Sequence, residues 1–268
     1  MKFRAIWIVI VIFLFGLMIV SPGKAALTDN LIGYWPFNGS GADLSGGGKD
    51  VRLYGSADGS GLFGQALSLP GNVNYYAQRP GDDQVFNFGS GSFTVQVWVN
   101  FTYLAPEQTL VEKFEGSTGP GWSLSKLQSN QVQFYGAGMA TVNSKPESPL
   151  TEENHWYHLV FRRDVNNMAL FIDGTATTTD FFYGDSITDT TMPLLIGKRN
   201  ELDNRGFPVN GLIDEVAIWN RALSDQEITY LYNGGNGNPI GAVPLPTSGL
   251  LLGSGLFGLA GWRRFRKN

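Results

Sequence analysis

The sequence contains no cysteine and only two histidines among its 268 residues. The absence of cysteine excludes a disulfide framework, a thiolate metal site and a cysteine nucleophile. His155 and His158 are three residues apart, so on a strand they point to opposite faces and do not form a metal-binding pair. The formal net charge is −4, and no basic stripe lies between the two ends of the chain, so we expect no nucleic-acid partner.

The same scarcity of histidine weighs against a serine hydrolase. A Ser-His-Asp triad would have to use one of the two histidines. No Gly-x-Ser-x-Gly motif, which presents the serine in many such enzymes, occurs between Leu27 and Asn233. We therefore do not expect nucleophilic catalysis of that kind.

Long apolar runs occur only at the two ends of the chain. At the N-terminal end, two basic residues precede an apolar run over 5–20, which Ser21 and Pro22 close. This order of charged, apolar and small residues is typical of a secretion signal. We predict a signal peptide over 1–25, cleaved after Ala25. The alternative is a retained membrane anchor, because the run is near the lower length limit for spanning a bilayer.

The C-terminal end, 243–268, has three parts in order. An apolar Gly/Leu-rich segment over 247–262 lies between a Pro-x-Pro signature and an arginine-rich end. At about 1.5 Å per residue, this segment is just long enough for a transmembrane helix, with the basic end on the cytoplasmic side. The signature consists of Val243, Pro244, Leu245 and Pro246.

This tail resembles the PEP-CTERM type of sorting signal, which an exosortase-like membrane protease recognises. The resemblance departs from the commonest form at Leu245, where that form has Glu. It implies a Gram-negative bacterium that makes exopolysaccharide. It also implies a chain that is held transiently in the inner membrane or periplasm and then sorted to the cell surface or extracellular matrix. The alternative is an ordinary single-pass anchor.

Between the ends, short runs rich in β-branched and aromatic residues alternate with glycine-rich turns. This pattern predicts an all-β sandwich of two antiparallel sheets rather than alternating strands and helices. In the run 92–100, Phe93, Val95, Val97 and Val99 share one strand face, so we expect that face to pack inward.

One short helix is predicted near the end of this domain. Ser224 and Glu227 form a capping box, and apolar residues follow on one side before an Asn-Gly pair. The domain is predicted to run over 27–233, and the Gly- and Asn-rich segment 234–242 is predicted to be a flexible linker.

Six segments, in order along the chain, carry a resemblance to the LamG-like (laminin G type 3) family of concanavalin A-like jelly rolls. They are 31–46, 61–71, 92–99, 155–174, 193–197 and 211–233. The resemblance covers nearly the whole central domain. It implies a jelly-roll sandwich of about a dozen strands, used mostly to bind sugars or proteins and only sometimes attached to catalytic domains.

Asp214 is a candidate metal ligand. In the run 212–219 it shares a strand face with Leu212, Val216 and Ile218. A carboxylate on that face needs a partner, since burying even a neutral polar group costs about 2 to 7 kcal/mol. The resemblance implies a structural calcium held by such a last-strand Asp, here with Asn38, Asp43 and backbone carbonyls. Calcium favours such oxygen ligands. The alternative is that Asp214 accepts hydrogen bonds from backbone amides or from Ser and Thr hydroxyls.

Laminarinase-type glycosidases share this jelly roll and carry Glu-x-Asp-x-Glu or Glu-x-Asp-x-x-Glu on one strand. Those enzymes need two carboxyl groups about 5 Å apart. The nearest match is 201–206, where Gly206 replaces the last Glu in a stretch flanked by Gly and Pro. We therefore predict no catalytic residues.

A sugar-binding site on this fold would use aromatic rings with nearby polar side chains. Each candidate ring is also compatible with a place in the core or at its rim. The candidates are Tyr75, Tyr76, Trp122, Tyr135, Phe181, Phe182 and Tyr183, with Arg199 and Asn200 as polar partners.

Together these features predict an exported, surface-sorted binding module without catalytic activity, with a polysaccharide or matrix component as its partner. Two alternatives stay open. One is a glycan hydrolase whose carboxylates come from separate strands, and the other is an adhesion protein that binds a protein partner.

Overall fold

The computed structural model describes residues 27–165, 167–181, 185–200 and 206–241. Over these residues the chain forms two antiparallel sheets packed face to face, with one α-helix. The predicted all-β, two-sheet antiparallel sandwich with one short helix is confirmed, and its architecture fits a jelly roll.

Several predictions fall outside the described residues. They are the signal peptide 1–25, the tail 243–268 with its helix 247–262, the processing residues Ala25, Val243, Pro244 and Pro246, and the rings of Phe182 and Tyr183. None of the described helices is long and apolar enough to cross a membrane.

The described residues form fifteen strands. The first eight are β1 (Leu31–Trp35), β2 (Arg52–Tyr54), β3 (Ser56–Ser60), β4 (Gln65–Pro70), β5 (Tyr76–Gln78), β6 (Phe93–Phe101), β7 (Gln108–Phe114) and β8 (Gly121–Lys126). The others are β9 (Val132–Gly136), β10 (Val142–Asn143), β11 (Trp156–Asp164), β12 (Asn167–Ile172), β13 (Thr175–Phe181), β14 (Leu195–Ile196) and β15 (Asn210–Trp219). The helix α1 is Asp225–Tyr232, and short 3-10 helices cover Gln84–Phe86 and Asn233–Gly235.

The strands divide between two sheets. The first, here called the eight-stranded sheet after its described strands, has the order β13-β12-β11-β6-β15-β4-β3, and β1 also pairs with β15. The second, the seven-stranded sheet, has the order β10-β9-β8-β7-β14-β5-β2. Strands that are distant in sequence are therefore neighbours in both sheets.

The main core lies between the two sheets. Phe93, Val95, Val97 and Val99 of β6 are fully buried there, which confirms the inward face predicted from their alternation. Aromatic rings connect the sheets: Phe134 of β9 stacks on Phe161 of β11, with ring centres 3.6 Å apart. Burial of each such side chain contributes roughly 1.5 to 3 kcal/mol, so the core replaces the stabilisation that disulfides would give.

A β-bulge in β15 changes the expected position of Asp214. Asp214 lies opposite Trp98, but Ala217 lies opposite Gln96, so β15 contains one extra residue. Glu215 takes up this residue with a φ of +51°. The predicted face holds for Leu212 but is wrong for Val216 and Ile218. These two residues point into the main core, whereas Asp214 and Leu212 point to the outer face of the sheet.

Helix α1 covers part of that outer face. The predicted capping box is present, since Ser224 Oγ accepts from the backbone N–H of Glu227 and Glu227 Oε2 accepts from the backbone N–H of Ser224. The buried residues Ile228 and Leu231 pack on Trp219 of the sheet in a second apolar cluster.

The segment after α1 continues this cover. Ile240 is buried in the second cluster, and the backbone N–H of Gly237 donates to the carbonyl of Tyr232 at 3.0 Å. The side-chain amide of Asn238 donates to the carbonyl of Tyr230 at 2.7 Å. Residues 234–241 are therefore part of the fold, and the predicted flexible linker is corrected over these residues, because Ile240 fixes an otherwise polar, glycine-rich stretch.

Candidate ligand-binding face

The candidate site lies on the outer face of the seven-stranded sheet. Residues such as Ala77, Val111 and Ile196 point from this sheet into the core, so their strand neighbours point outward. Residues paired across strands share a face, and Tyr54 pairs with Tyr76. A second outward row consists of Arg52, Gln78, Leu195, Glu112, Ser123 and Tyr135.

Two tyrosines form a stacked pair at the β2 edge of this face. The ring centres of Tyr54 and Tyr76 are 4.4 Å apart, and the ring planes differ by 8°. The guanidinium of Arg52 lies 5.1 Å from the centre of the Tyr54 ring, and the ammonium of Lys198 lies 3.8 Å from the centre of the Tyr76 ring. These cation–π contacts hold the two rings in a fixed orientation.

A cleft of about 170 Å³, here called the tyrosine cleft, opens beside this pair. Its lining residues are Tyr76, Gln78, Pro193, Leu195, Lys198 and Asn200. Two amides, a phenol hydroxyl and an ammonium supply hydrogen-bonding groups, while Pro193 and Leu195 supply apolar surface. This lining suits a small ligand that has both hydroxyl groups and apolar faces.

A buried and a half-buried carboxylate hold the segment after β14 against the sheet. Glu112 is fully buried, and its Oε1 accepts from the backbone N–H of Asn200 at 2.5 Å. Arg199 Nη2 donates to Oε1 of Glu107 at 3.1 Å, and its guanidinium lies 4.4 Å from the centre of the Phe207 ring. Arg199 and Glu112 therefore position Asn200 at the cleft and do not line it themselves.

The other predicted rings do not join the cleft. Trp122 is fully buried, and its Nε1 donates to the carbonyl of Phe86, so the prediction of a binding ring there is wrong: the residue faces the core. Tyr135 lies on the outer face but four strand spacings from β5, about 19 Å away. Tyr75 is 41% exposed and immediately precedes β5.

Two predicted calcium ligands, Asp214 and Asn38, hold one glycine-rich turn. Oδ2 of Asp214 accepts from the backbone N–H of Leu62 at 2.8 Å, and Oδ1 of Asn38 accepts from the backbone N–H of Gln65 at 2.8 Å. A Cβ at Gly61 would lie 2.7 Å from Oδ2 of Asp214, so the carboxylate can approach the backbone closely only because residue 61 is glycine.

The third predicted ligand, Asp43, accepts four hydrogen bonds. They come from the backbone N–H groups of Tyr34, Ser45 and Lys49 and from the hydroxyl of Ser45, at 2.8 to 3.0 Å. Burial raises the pKa of Asp43, but these hydrogen bonds outweigh it and leave the pKa below its ordinary value. Among the described side chains, no group of three or more His, Asp or Glu could hold a metal ion. Calcium binding stays a prediction.

Asp214 and Glu215 form a buried pair of carboxyl groups. Burial and the neighbouring Glu215 raise the pKa of Asp214 to about 8, against backbone N–H groups that lower it. Burial raises the pKa of Glu215 to about 7, although a 2.6 Å hydrogen bond from the hydroxyl of Tyr34 opposes the shift. Both side chains lie on the outer face of the eight-stranded sheet, away from the tyrosine cleft.

Sequence reasoning missed Tyr54, Gln78 and Lys198. The alternation in Arg52-Leu53-Tyr54 was the available signal, since it places Arg52 and Tyr54 on one strand face. These two residues lie beside Tyr76 only because β2 pairs with β5, and a single sequence does not reveal that pairing.

Comparison of the chain with models of known protein families identifies its family. A family model described as the concanavalin A-like lectin/glucanases superfamily, Laminin G 3, matches residues 71–229. The chain belongs to this family. This Laminin G 3 domain matches no curated protein.

Solved structures share the fold. The binding domain of Paraclostridial Mosquitocidal Protein 1 superposes with a TM-score of 0.60 at 20% identity, over 77% of this chain and 52% of that chain. The botulinum neurotoxin serotype G binding domain superposes with a TM-score of 0.57 at 18% identity, over 76% of this chain and 50% of that chain. The Laminin G 3 chain thus spans about half the length of these two toxin domains.

A third structure matches over nearly its whole length. Domain 4 of AbnA, a GH43 extracellular arabinanase from Geobacillus stearothermophilus, gives a TM-score of 0.55 at 19% identity, over 75% of this chain and 97% of that chain. It was solved in complex with arabinotriose. At these identities the likeness establishes the fold of the Laminin G 3 domain.

Proposed function

We propose that this chain is an exported, non-catalytic carbohydrate-binding module whose ligand occupies the tyrosine cleft. The observation that carries the proposal is the stacked pair of Tyr54 and Tyr76 beside a cleft with convergent amides. Sugars present both hydroxyl groups and apolar ring faces. The amides of Gln78 and Asn200 match the hydroxyl groups, and the tyrosine edges with Leu195 match the apolar faces.

The solved structures of the same fold support binding as the role of the domain. Both toxin domains are binding domains, and domain 4 of AbnA was captured with an oligosaccharide. These ligands belong to those proteins, and the sugar that this chain recognises is a separate question for experiment.

The positions of the carboxyl groups favour binding over hydrolysis. A glycosidase needs an acid and a second carboxylate on either side of an accessible glycosidic bond. Asp214 and Glu215 are adjacent but buried, and Glu112 is fully buried with its Oε1 on the backbone of Asn200. None of these three presents a carboxyl group to the tyrosine cleft.

The two ends of the chain supply the proposed location. The secretion signal would export the domain, and the PEP-CTERM-like tail would hold it in the inner membrane until an exosortase-like protease acts. The domain would then reach the cell surface or matrix, where an extracellular polysaccharide is its proposed partner.

A glycan array that includes the organism's own exopolysaccharide tests this proposal. We expect the full chain to bind at least one glycan class and Tyr76→Ala to weaken that binding by about tenfold or more, because stacking and hydrogen bonds are lost together. Tyr103→Ala is the matched control, since Tyr103 is 51% exposed on the loop after β6 and does not line the cleft.

Three results would overturn the proposal. Release of oligosaccharides from the bound glycan would indicate a hydrolase. Capture of a surface protein without any glycan binding would indicate an adhesion protein. Equal losses in Tyr76→Ala and Tyr103→Ala would place the site elsewhere.

The predicted calcium site is tested by repeating the array and a thermal melt in EDTA. An unchanged Tm and no calcium in the purified protein would remove the predicted metal site.

A further inference from the structure

A second cleft, here called the edge cleft, lies where the two sheets meet at one side of the sandwich. Its volume is about 460 Å³, and it is lined by Gln131, Thr141, Asn143, Ser144, Lys145, Pro146 and Thr178. Asn143 belongs to β10, the last strand of the seven-stranded sheet, and Thr178 belongs to β13, the last strand of the eight-stranded sheet. The hydroxyl of Thr178 donates to the carbonyl of Asn143 at 2.5 Å and joins the two edges.

The polar wall of the edge cleft is held in place before any ligand arrives. Gln133 Nε2 donates to Oδ1 of Asn143 at 2.8 Å, and Gln131 Nε2 donates to the carbonyl of Ser144 at 2.6 Å. The hydroxyl of Ser144 accepts from the backbone N–H of Val132 at 3.0 Å. Side chains fixed in this way lose little entropy on binding, which favours affinity.

These contacts leave the edge cleft rich in hydrogen-bond donors. Because Oδ1 of Asn143 is engaged by Gln133, its amide nitrogen is the group left to contact a ligand. The ammonium of Lys145 is exposed and makes no ion pair or hydrogen bond with any residue of the described ranges. No Asp or Glu lines the cleft, so its charge is positive although the whole chain has a formal net charge of −4.

We propose that the edge cleft is a second glycan site, selective for a sugar unit that bears a carboxylate. The carboxylate would pair with Lys145, and the hydroxyl groups of the sugar would contact Asn143 and Thr141. A charge-assisted hydrogen bond is stronger than a neutral one, so the acid is preferred to its neutral counterpart. The inference extends the proposed carbohydrate binding to a separate place on the domain.

Calorimetric titration of the full chain with trigalacturonate and with neutral galactotriose tests this inference. We expect the acid to bind about tenfold more tightly than the neutral sugar, and Lys145→Gln to remove that difference, as the loss of one charge-assisted hydrogen bond predicts. Added salt should also reduce the preference, because exposed charges are screened.

Lys49→Gln is the matched control, since the Lys49 ammonium also lacks an acidic partner among the described residues but contacts the carbonyl of Gly47 far from the cleft lining. It should keep the preference for the acid. Equal binding of the two sugars by the unmodified chain, or an unchanged preference in Lys145→Gln, would overturn the inference. Loss of the preference in Tyr76→Ala would overturn it too, because the acid would then occupy the tyrosine cleft. If Tyr76→Ala binds the array glycans as well as the unmodified chain does, while Lys145→Gln still removes the preference for the acid, the proposed site in the tyrosine cleft fails and the edge-cleft inference stands.

Discussion

The outer faces of the two sheets differ in what covers them. On the eight-stranded sheet, α1 and the segment up to Ile240 bury an apolar cluster that includes Trp219 and Phe171. On the seven-stranded sheet, the described residues form polar and aromatic rows, and the tyrosine cleft opens beside them. The first face is closed by the chain's own C-terminal segment, while the second keeps a cleft at β5, although Glu112 and Ser123 farther along the row are buried.

This difference separates stability from recognition. A buried tryptophan on the closed face contributes through packing, and its loss leaves a cavity. The tyrosine pair at the rim of the open face is only half-buried, and in the proposed function it contacts the ligand. We therefore expect substitutions on the closed face to affect unfolding and substitutions on the open face to affect binding.

The largest expected effect is on the closed face, in Trp219→Ala. Trp219 is fully buried, and its Nε1 donates to the carbonyl of Leu27 at 2.7 Å. We expect the free energy of unfolding to fall by about 3 to 5 kcal/mol in a urea titration, because both the packing and the hydrogen bond are lost. A loss below about 1 kcal/mol would mean that α1 does not pack on the sheet as described.

A pH effect of intermediate size is expected from the same face. The pKa values of Asp214 and Glu215, raised to about 8 and about 7, exceed those of an unfolded chain, near 4. Between about pH 4 and about pH 8 the folded state therefore binds more protons than the unfolded chain, so its stability should fall as the pH rises over this range and level off above it. Urea midpoints measured between about pH 5 and pH 9 check this sign.

Glu215→Gln is the control for this prediction. The amide oxygen can still accept from the hydroxyl of Tyr34, which lies 2.6 Å from Oε2 of Glu215, but the side chain no longer titrates. The variant should show a flatter pH dependence. If the free energy of unfolding of the unmodified chain rises between pH 6 and pH 9, the pKa values of Asp214 and Glu215 are not raised in the folded state.

The smallest expected effect on stability is on the open face, in Tyr76→Ala. The Tyr76 ring is half-buried and contacts Tyr54 and Lys198 rather than the main core. We expect a loss of about 1 kcal/mol or less in the same urea titration. A loss as large as that of Trp219→Ala would make the tyrosine pair a structural element and would weaken the comparison.

The sequence was sufficient for features that depend on local pattern. Alternation in 92–100 predicted the inward face of β6, and the capping box predicted the start of α1. The face of Asp214 was not predictable in this way, because one extra residue at Glu215 reverses the alternation. A bulge leaves no clear mark in a single sequence, since Glu215 is not a residue that favours positive φ.

The candidate site shows the same limit. Tyr76 and Asn200 could be named from their chemistry, but Trp122 has equally suitable chemistry and lies in the core. Only the strand register, which determines the sheet face on which each side chain lies, distinguishes Tyr76 from Trp122. Strand β5 pairs with β2 on one side and with β14 on the other, and this brings Tyr54, Gln78 and Lys198 together beside the same cleft from distant parts of the chain.

The most direct test of the account maps a bound glycan onto the two faces. In an NMR titration of the isotopically labelled full chain with a glycan selected on the array, we expect the largest shifts at Tyr54, Tyr76, Gln78 and Asn200. The backbone signals of α1 and of Trp219 should not move. Shifts that concentrate on α1 and β15, with none at the tyrosine cleft, would contradict the claim that the open face of the seven-stranded sheet binds carbohydrate.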